Sequence, residues 1–168
     1  MVRFALLFVL CVLALFGAEL TPPVQHAVVA PWTDLLVGVC ARIITLFDGH
    51  AIAYGNVLRS SVNGFAVSIE AGCNGIEAAL VLAAAILAFR APWKARLAGI
   101  VVGLAAVQAL NVLRVVSLFY IGQWSVRAFD WAHLYLWQAL IMLDVLVVWL
   151  LWLRWVSARG QPARADAR

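Results

Sequence analysis

Three side chains far apart in the sequence, Cys73, Arg114 and His133, are of types that together could perform acyl transfer. A cysteine thiolate is a strong nucleophile, and a helix N-terminus or a nearby cation lowers the thiol pKa and so favours that thiolate. An arginine keeps its charge and can stabilise the oxyanion of a tetrahedral intermediate. A histidine titrates near neutrality and can protonate a departing amine. The sequence thus offers Cys73 as nucleophile, Arg114 as anion stabiliser and His133 as acid/base.

Four neighbouring residues are candidates for supporting roles: Asn74, Gly75, Glu77 and Asn111. Glu77 lies one helical turn after Cys73 and is a candidate charge partner for Arg114. Asn111 is on the same helical face as Arg114, where it could join two helices or orient the guanidinium. An arginine inside an apolar run is costly unless it is paired or hydrated, which favours a functional role for Arg114.

The composition of the chain requires lipid as its solvent. Its 168 residues are 66% hydrophobic and 12% charged, whereas soluble domains are roughly 45–50% apolar and 25% charged. The net charge of +4 does not indicate nucleic-acid binding, because the basic residues lie at the ends of apolar runs. Cys11 and Cys40 have no polar company and are interpreted as small buried hydrophobes. Without CxxC pairs, neither a disulfide framework nor a metal site is indicated, and no cofactor is expected.

Four apolar runs predict transmembrane helices, since a span needs about 20 residues. They cover residues 4–20, 73–89, 97–121 and 132–153. A cleaved signal peptide is the competing interpretation of the first run, but no A-x-A site follows it, so we expect it to be retained. The fold class is therefore an all-α integral membrane protein, a single domain built as a bundle of about four transmembrane helices.

The segments outside the spans complete this architecture. Residues 21–72 are predicted to be extracytoplasmic, with a helix over 32–47 whose apolar face and internal charges are typical of an interfacial helix. Alternating residues in 51–54 and 65–70 predict a small β-hairpin. Residues 154–168 are polar and basic, which is typical of a solvated cytoplasmic tail without a fold of its own.

The basic residues predict the orientation of the bundle. With an even number of spans, eight of the twelve Lys and Arg fall on one side: Arg3, Arg90, Lys94, Arg96, Arg154, Arg159, Arg164 and Arg168. Basic residues near span ends mark the cytoplasmic side. Counted along their helices from the nearest of these residues, Cys73, Arg114 and His133 lie about 25, 27 and 31 Å away. All three are therefore expected to meet in the outer leaflet, where they could act on an exported molecule.

Three short motifs carry a family resemblance. Residues 71–77 (Ala-Gly-Cys-Asn-Gly-Ile-Glu), residues 111–114 (Asn-Val-Leu-Arg) and the pair Ala132-His133 resemble the signature of the exosortase/archaeosortase family. The chain's size and outer hairpin look like those of the compact exosortase H type. The resemblance covers roughly residues 49–154, and only the three motifs within it are specific. The chain departs from longer members in having about four spans where they have about eight.

The resemblance implies an activity, partners and a location. Cys73, Arg114 and His133 would correspond to the family's proposed catalytic triad, in a cysteine transpeptidase or protease of the cytoplasmic (inner) membrane whose site faces the exterior. The substrates would be exported proteins with a C-terminal sorting signal of short motif, apolar helix and basic cluster. Release could end in hydrolysis or in transfer to a lipid or glycan acceptor, and these alternatives stay open.

Two interpretations from other classes compete with an enzyme. The first is a non-catalytic scaffold or assembly subunit of an export system, in which Arg114 binds an anionic lipid head group and Cys73 is incidental. The second is a haem-binding electron-transfer subunit. Such a subunit would need paired histidines at matching depth on facing spans, whereas His26 and His50 lie outside the predicted spans.

Overall fold

The structure is a computed structural model that describes residues 2–47 and 49–160, with Gly160 described by its backbone alone. Its described elements are five helices and one small sheet, and the chain is mostly helical. We number the helices α1 (Val2–Glu19), α2 (Pro22–Phe47), α3 (Ile76–Ala88), α4 (Trp93–Trp124) and α5 (126–160). Two of them contain a π-helical turn, Gln25–Val29 in α2 and Ala132–Leu136 in α5.

Four of the described helices are long and apolar enough to cross a membrane, which confirms the predicted fold class. These are Val2–Glu19, Pro22–Phe47, Trp93–Trp124 and Val126–Arg159. The set differs from the predicted one, because α3 has only 13 residues, or about 20 Å of helix, against a hydrocarbon core of about 30 Å. It begins after Gly75, whose φ is 76°, and it ends before the extended Phe89. Residues 73–75 and 89 of the predicted second span are therefore not helical.

Helix α2 is longer than the segment 32–47 that the sequence predicts. It begins at Pro22, and proline is favoured in the first turn because its missing N–H needs no partner there. The π-helical turn Gln25–Val29 lies directly before Pro31 and lets the helix continue through a residue that cannot donate to the ladder. At 26 residues α2 is long enough to span, and the interfacial position of 32–47 stays a prediction.

The predicted hairpin is instead a three-stranded antiparallel sheet in the order β1-β2-β3, with β1 at Ala51–Tyr54, β2 at Val57–Ser60 and β3 at Ala66–Ser68. The two predicted segments supply β1 and β3, but they do not pair with each other because β2 lies between them. A tight turn at Gly55 and Asn56, with φ 54° at the glycine, reverses the chain into β2. Strands β1 and β3 are consequently the two edges.

Helices α1, α3, α4 and α5 pack together as an antiparallel bundle. Arg3 at the start of α1 lines one cavity together with Arg90. Arg90 also lines a neighbouring cavity together with Lys94 and Arg159. We call this the basic end. The opposite end, the sheet end, consists of the loop 70–75, the sheet, and the parts of α2 and α4 that pack on it. It has one apolar core, made of Leu36, Val37, Cys40, Ala41, Ile44, Leu58, Ile69, Val115 and Phe119.

The C-terminal segment 154–168 is not simply a tail. Helix α5 continues to Gly160, so the first seven of these residues are helical. The Arg159 guanidinium lies 4.2 Å from the centre of the Trp155 ring, a cation–π contact that covers one face of the indole. Residues 161–168 of the predicted tail lie outside the described residues.

Candidate active site

The structure brings Cys73, Arg114 and His133 together at the sheet end. Arg114 Nη2 lies 3.6 Å from Cys73 Sγ, and His133 Nε2 lies 3.8 Å from the same sulfur atom. The three side chains come from the loop before α3, from the C-terminal half of α4 and from the first turns of α5. A guanidinium and an imidazole therefore both lie next to the Cys73 thiol, as the common depth of the three residues predicts.

The loop carrying Cys73 is held by hydrogen bonds to its backbone at Gly72 and Cys73. The Cys73 N–H donates to Glu70 O at 2.9 Å. The Gly72 carbonyl accepts from Arg114 Nη1 at 3.3 Å, and the Gly72 N–H donates to the Glu77 carboxylate. The sequence suggested that Glu77 pairs with Arg114. Its described partner is instead the Gly72 N–H, so Glu77 and Arg114 bind the two peptide units that flank the Gly72 Cα.

Asn74 ties this loop to two helices. Its side-chain carbonyl accepts from the Ile76 N–H at 3.0 Å, which caps the first turn of α3. Its amide donates to Thr33 Oγ1 at 3.2 Å, and its backbone carbonyl accepts from Trp32 Nε1 at 3.3 Å. Asn74 is 1% exposed, so these bonds are made away from solvent. They fix the position of the neighbouring thiol relative to α2.

Gly75 and Asn111 make the closest approach between α4 and the loop. Gly75 has φ 76°, and a Cβ there would lie 2.9 Å from Gln108 Nε2 and 3.1 Å from Asn111 Nδ2. Asn111 is fully buried, and neither of its amide atoms has a hydrogen-bond partner among the described residues. Among the described residues Asn111 makes no hydrogen bond to Arg114, so the predicted role in orienting the guanidinium has no bond to support it. The contact that the structure shows for Asn111 is the one with Gly75. Only glycine fits this position.

His133 is presented by an irregular part of α5. It lies in the π-helical turn Ala132–Leu136, a distortion that is frequent at functional sites. Its ring stacks on Phe129, with centroids 5.6 Å apart and an interplanar angle of 4°. Phe129 in turn packs edge-on against Phe65 at 6.2 Å. Phe129 was not among the residues singled out from the sequence, although an aromatic residue four positions before a histidine on a helix is a signal for such a contact.

Burial and charge act in opposite directions on the Cys73 thiol. Burial is the larger influence and raises its pKa, the Arg114 guanidinium lowers it, and the Glu77 and Glu70 carboxylates raise it again. The sequence predicted a lowered pKa from the helix N-terminus and the cation, and this is wrong for the resting site because desolvation outweighs both. Loss of the thiol proton is therefore disfavoured in the resting site, and a base beside the thiol would favour its activation.

Arg114 is 2% exposed. Its described hydrogen bonds go to the Gly72 carbonyl and the thiol, and its Nε has no partner among the described residues. A buried cation without a carboxylate partner is expensive. This cost is understandable if the charge acts on an anion that forms during a reaction.

A small cavity of about 30 Å³ opens beside the thiol. This is room for roughly one or two water molecules, so it admits a carbonyl group or a small side chain. Strand β3 forms one wall and the start of α5 another. The lining residues are Val67, Ser68, Ile69, Cys73, Arg114, Val115, Leu118, Phe129 and His133.

The other cysteines and one acidic residue lie away from this site. Cys40 is fully buried in the apolar core of the sheet end, and Cys11 is half-buried in α1, in keeping with their interpretation as hydrophobes. Asp144 lies in α5, where one carboxylate oxygen has no partner among the described residues. Nothing in the structure explains Asp144.

The fold and the cluster define the class: a membrane-spanning helical protein with a thiol, a guanidinium and an imidazole gathered at one end of its bundle. A family model for transmembrane exosortase (Exosortase_EpsH) matches residues 1–143 of the 168-residue chain, so this protein belongs to the transmembrane exosortase family. The matched range includes all three residues of the cluster. No curated protein and no solved structure matches the chain.

Proposed function

We propose that this protein is a membrane cysteine transpeptidase or endopeptidase that cleaves the C-terminal sorting signals of exported proteins at the outer face of the membrane. The observation that carries the proposal is the placement of Arg114 Nη2 and His133 Nε2 at 3.6 and 3.8 Å from Cys73 Sγ. Family membership supports a protease or transpeptidase. The substrate class, a short motif followed by an apolar helix and a basic end, comes from the resemblance of the three motifs.

The first chemical step is acylation of Cys73. His133 Nε2 takes the thiol proton as the sulfur attacks the scissile carbonyl carbon, forming an S–C bond and an oxyanion. Collapse of this intermediate breaks the C–N bond, and the protonated His133 delivers its proton to the departing amine. A thioester remains on Cys73, and the substrate's C-terminal helix leaves with the new amino terminus.

Arg114 stabilises the negative charge in this sequence. Its guanidinium is next to the sulfur in the resting site and next to the small cavity that a scissile carbonyl would enter. It therefore faces both the thiolate and the oxyanion, in surroundings from which water is largely excluded. A preorganised cation there lowers the free energy of each anionic species without having to move.

The second step is release of the acyl group from Cys73. Attack by water gives a free carboxylate, and attack by an amine or hydroxyl of a lipid or glycan gives a new amide or ester. In both cases His133 removes a proton from the attacking group, and the thiol is restored. The mass at the new C-terminus of the processed protein distinguishes the two.

The orientation that we propose places the basic end in the cytoplasm and the sheet end outside the cytoplasmic membrane. It is supported by the clustering of Arg3, Arg90, Lys94 and Arg159 at the end away from Cys73. A substrate helix would then pack against the bundle from within the bilayer and deliver its outer end to the thiol.

The test is a mass-spectrometric comparison of cells carrying the wild-type protein, Cys73→Ala and the control Cys11→Ala. We expect a protein with a C-terminal apolar helix and basic end that is truncated in the wild type and in Cys11→Ala, and that accumulates at full length in Cys73→Ala. If the protein were truncated equally in all three strains and still exported, the result would support the non-catalytic scaffold instead.

A further inference from the structure

We propose that the substrate segment preceding the scissile bond binds as a fourth strand along the free edge of β3 and runs parallel to it. This inference rests on the proposed function and describes how that same site holds its substrate. Addition of an extended peptide to an exposed sheet edge is a known mode of peptide recognition, in which main-chain hydrogen bonds supply affinity.

The hydrogen-bond pattern of the sheet shows which groups of β3 are free. The Ser60 N–H donates to Phe65 O and the Ile69 N–H donates to Asn56 O, both at 2.8 Å. In an antiparallel ladder the bonded residues alternate, so Phe65, Val67 and Ile69 face β2. Ala66 and Ser68 therefore direct their N–H and C=O groups away from β2, and both residues are exposed. In the described part of the chain, no backbone hydrogen bond joins this edge to another element.

The free edge lies at the candidate active site. Strand β1 packs on α2, and β3 is the edge strand on the other side of the sheet. Val67, Ser68 and Ile69 line the same small cavity as the thiol. Across that cavity are Phe129 and His133. An added strand would thus run along the edge of β3 beside this cavity, with a carbonyl group within reach of it.

The direction of the added strand follows from the depth of β3. Its beginning is near the outer end of α4, where Asn63 Nδ2 donates to Gln123 Oε1 at 2.9 Å. The chain then descends to Cys73, which is level with Arg114. A substrate whose C-terminal side continues into the membrane must also run from outside to inside. It would therefore be parallel to β3, with the scissile bond following the paired residues.

The walls of the cleft indicate what such a peptide would present. Leu118, Phe129 and Val67 give it an apolar lining, so inward-facing side chains should be small or apolar. Outward-facing side chains would lie on the exposed side of the sheet with Ala66 and Ser68, where few contacts constrain them. Recognition would rest mainly on backbone bonds to β3 at alternate residues, with side chains directed into the cleft as the only other contacts.

The experiment compares proline substitutions on the two edges of the sheet. Ala66→Pro removes an outward N–H of β3 without touching the β2 ladder. Ala53→Pro is the matched control. The Ser61 N–H donates to His50 O, and bonded pairs alternate along the ladder, so the N–H of Ala53 points away from β2; Ala53 is also exposed. The readout is cleavage by each full-length variant in membranes of the substrate found in the proteomic comparison, together with alkylation of Cys73 by iodoacetamide.

We expect Ala66→Pro to raise KM about tenfold, because the main-chain hydrogen bond from the Ala66 N–H to the substrate is lost and the adjacent one is weakened. Cys73 should be alkylated at the wild-type rate. Ala53→Pro should cleave within twofold of wild type. Equal KM values for the two variants overturn strand addition and leave the proposed protease intact. Absence of cleavage by the wild-type protein itself removes the proposed function, and this inference with it.

A second measurement covers the outcome in which Ala66→Pro does not fold, as shown by lost alkylation. Purified wild-type protein is given synthetic peptides spanning the cleavage site, each N-methylated at one position before the scissile bond. N-methylation removes one donor, so cleavage should fall at alternate positions and stay near that of the unmethylated peptide between them. A uniform or irregular response overturns the proposal.

Discussion

The sheet end and the basic end of the molecule are held together by different interactions. At the sheet end, buried polar side chains bond to backbone and to each other, as Asn74 does with Thr33 and Arg114 with Gly72. Toward the basic end, helices meet through glycine. A Cβ on Gly99 would lie 2.2 Å from Trp152 Nε1, and one on Gly103 would lie 2.6 Å from a Leu82 methyl group.

The difference shows where the protein needs fixed geometry. In lipid, glycine contacts that let helices approach closely are enough to hold a bundle together. Burying polar groups is costly unless they are bonded, so their concentration at the sheet end calls for a reason other than packing. Holding three reacting groups in register is such a reason. Substitutions at the sheet end should therefore change the reaction more than the stability, and substitutions toward the basic end should do the opposite.

The largest expected effect is that of Arg114→Gln, with Arg96→Gln on the same helix as its control. Loss of the cation beside the thiol should lower kcat/KM for substrate cleavage by about 10²–10³-fold, the usual cost of removing one oxyanion-stabilising group. Arg96 bonds the Phe89 carbonyl at 2.8 Å at the basic end, so Arg96→Gln should leave cleavage within a few-fold. Similar losses in the two variants would mean that the sheet end has no special dependence on Arg114.

A smaller effect is expected from Gly75→Ala, compared with Gly64→Ala. Both glycines have positive φ, 76° and 73°, so both variants carry the same backbone strain. Only at Gly75 does the added Cβ meet neighbours, the amides of Gln108 and Asn111. The loop must then shift and carry the adjacent thiol with it, which should lower kcat by about 10- to 100-fold. Measured cleavage rates per folded molecule, equal for the two variants, would contradict this role of the close contact.

The convergence of the three reactive residues could be predicted from sequence because it depends on simple quantities. The basic residues mark one membrane side, and 1.5 Å per helical residue places Cys73, Arg114 and His133 at a common depth. The result survives the error in α3, whose helix begins three residues after Cys73, since the thiol still lies just before that helix, at the end away from Arg90. The depth of a residue counted along its helix is little affected by such an error in a helix boundary.

Features that depend on tertiary neighbours could not be predicted in this way. Strand β2 was missed because Val57-Leu58-Arg59-Ser60 has little apolar alternation, and its place between β1 and β3 is fixed by the Gly55 turn and the core around Leu58. The direction of the Cys73 pKa shift was predicted wrongly, since burial by residues distant in the chain exceeds the local helix and charge effects. The free edge of β3 could not be predicted either, because it results from the position of β2 between β1 and β3.

Toward the basic end, Gly99→Ala should reduce stability without changing the reaction. The new methyl group would overlap the Trp152 indole, whose Nε1 donates to Ala95 O at 2.9 Å, and such overpacking typically costs about 1–3 kcal/mol. Gly17→Ala is the control, because nothing lies within 4 Å of a Cβ there. Thermal unfolding in detergent should show a lower midpoint for Gly99→Ala alone. A changed kcat at unchanged midpoint would reverse the proposed division between the two ends.

The smallest effect concerns the charges around the thiol, and it is read from the pH dependence of Cys73 alkylation. Because the Glu77 carboxylate raises the thiol pKa and the Arg114 guanidinium lowers it, the two neutral variants should move the midpoint in opposite directions. Glu77→Gln shifts it to lower pH while keeping an oxygen to accept the Gly72 N–H, and Arg114→Gln shifts it to higher pH. Glu70→Gln should follow Glu77→Gln with a smaller displacement, because its carboxylate has the weaker influence. If all three variants moved the midpoint the same way, a change in burial and not in charge would be responsible, and the sheet end would control the thiol by desolvation alone.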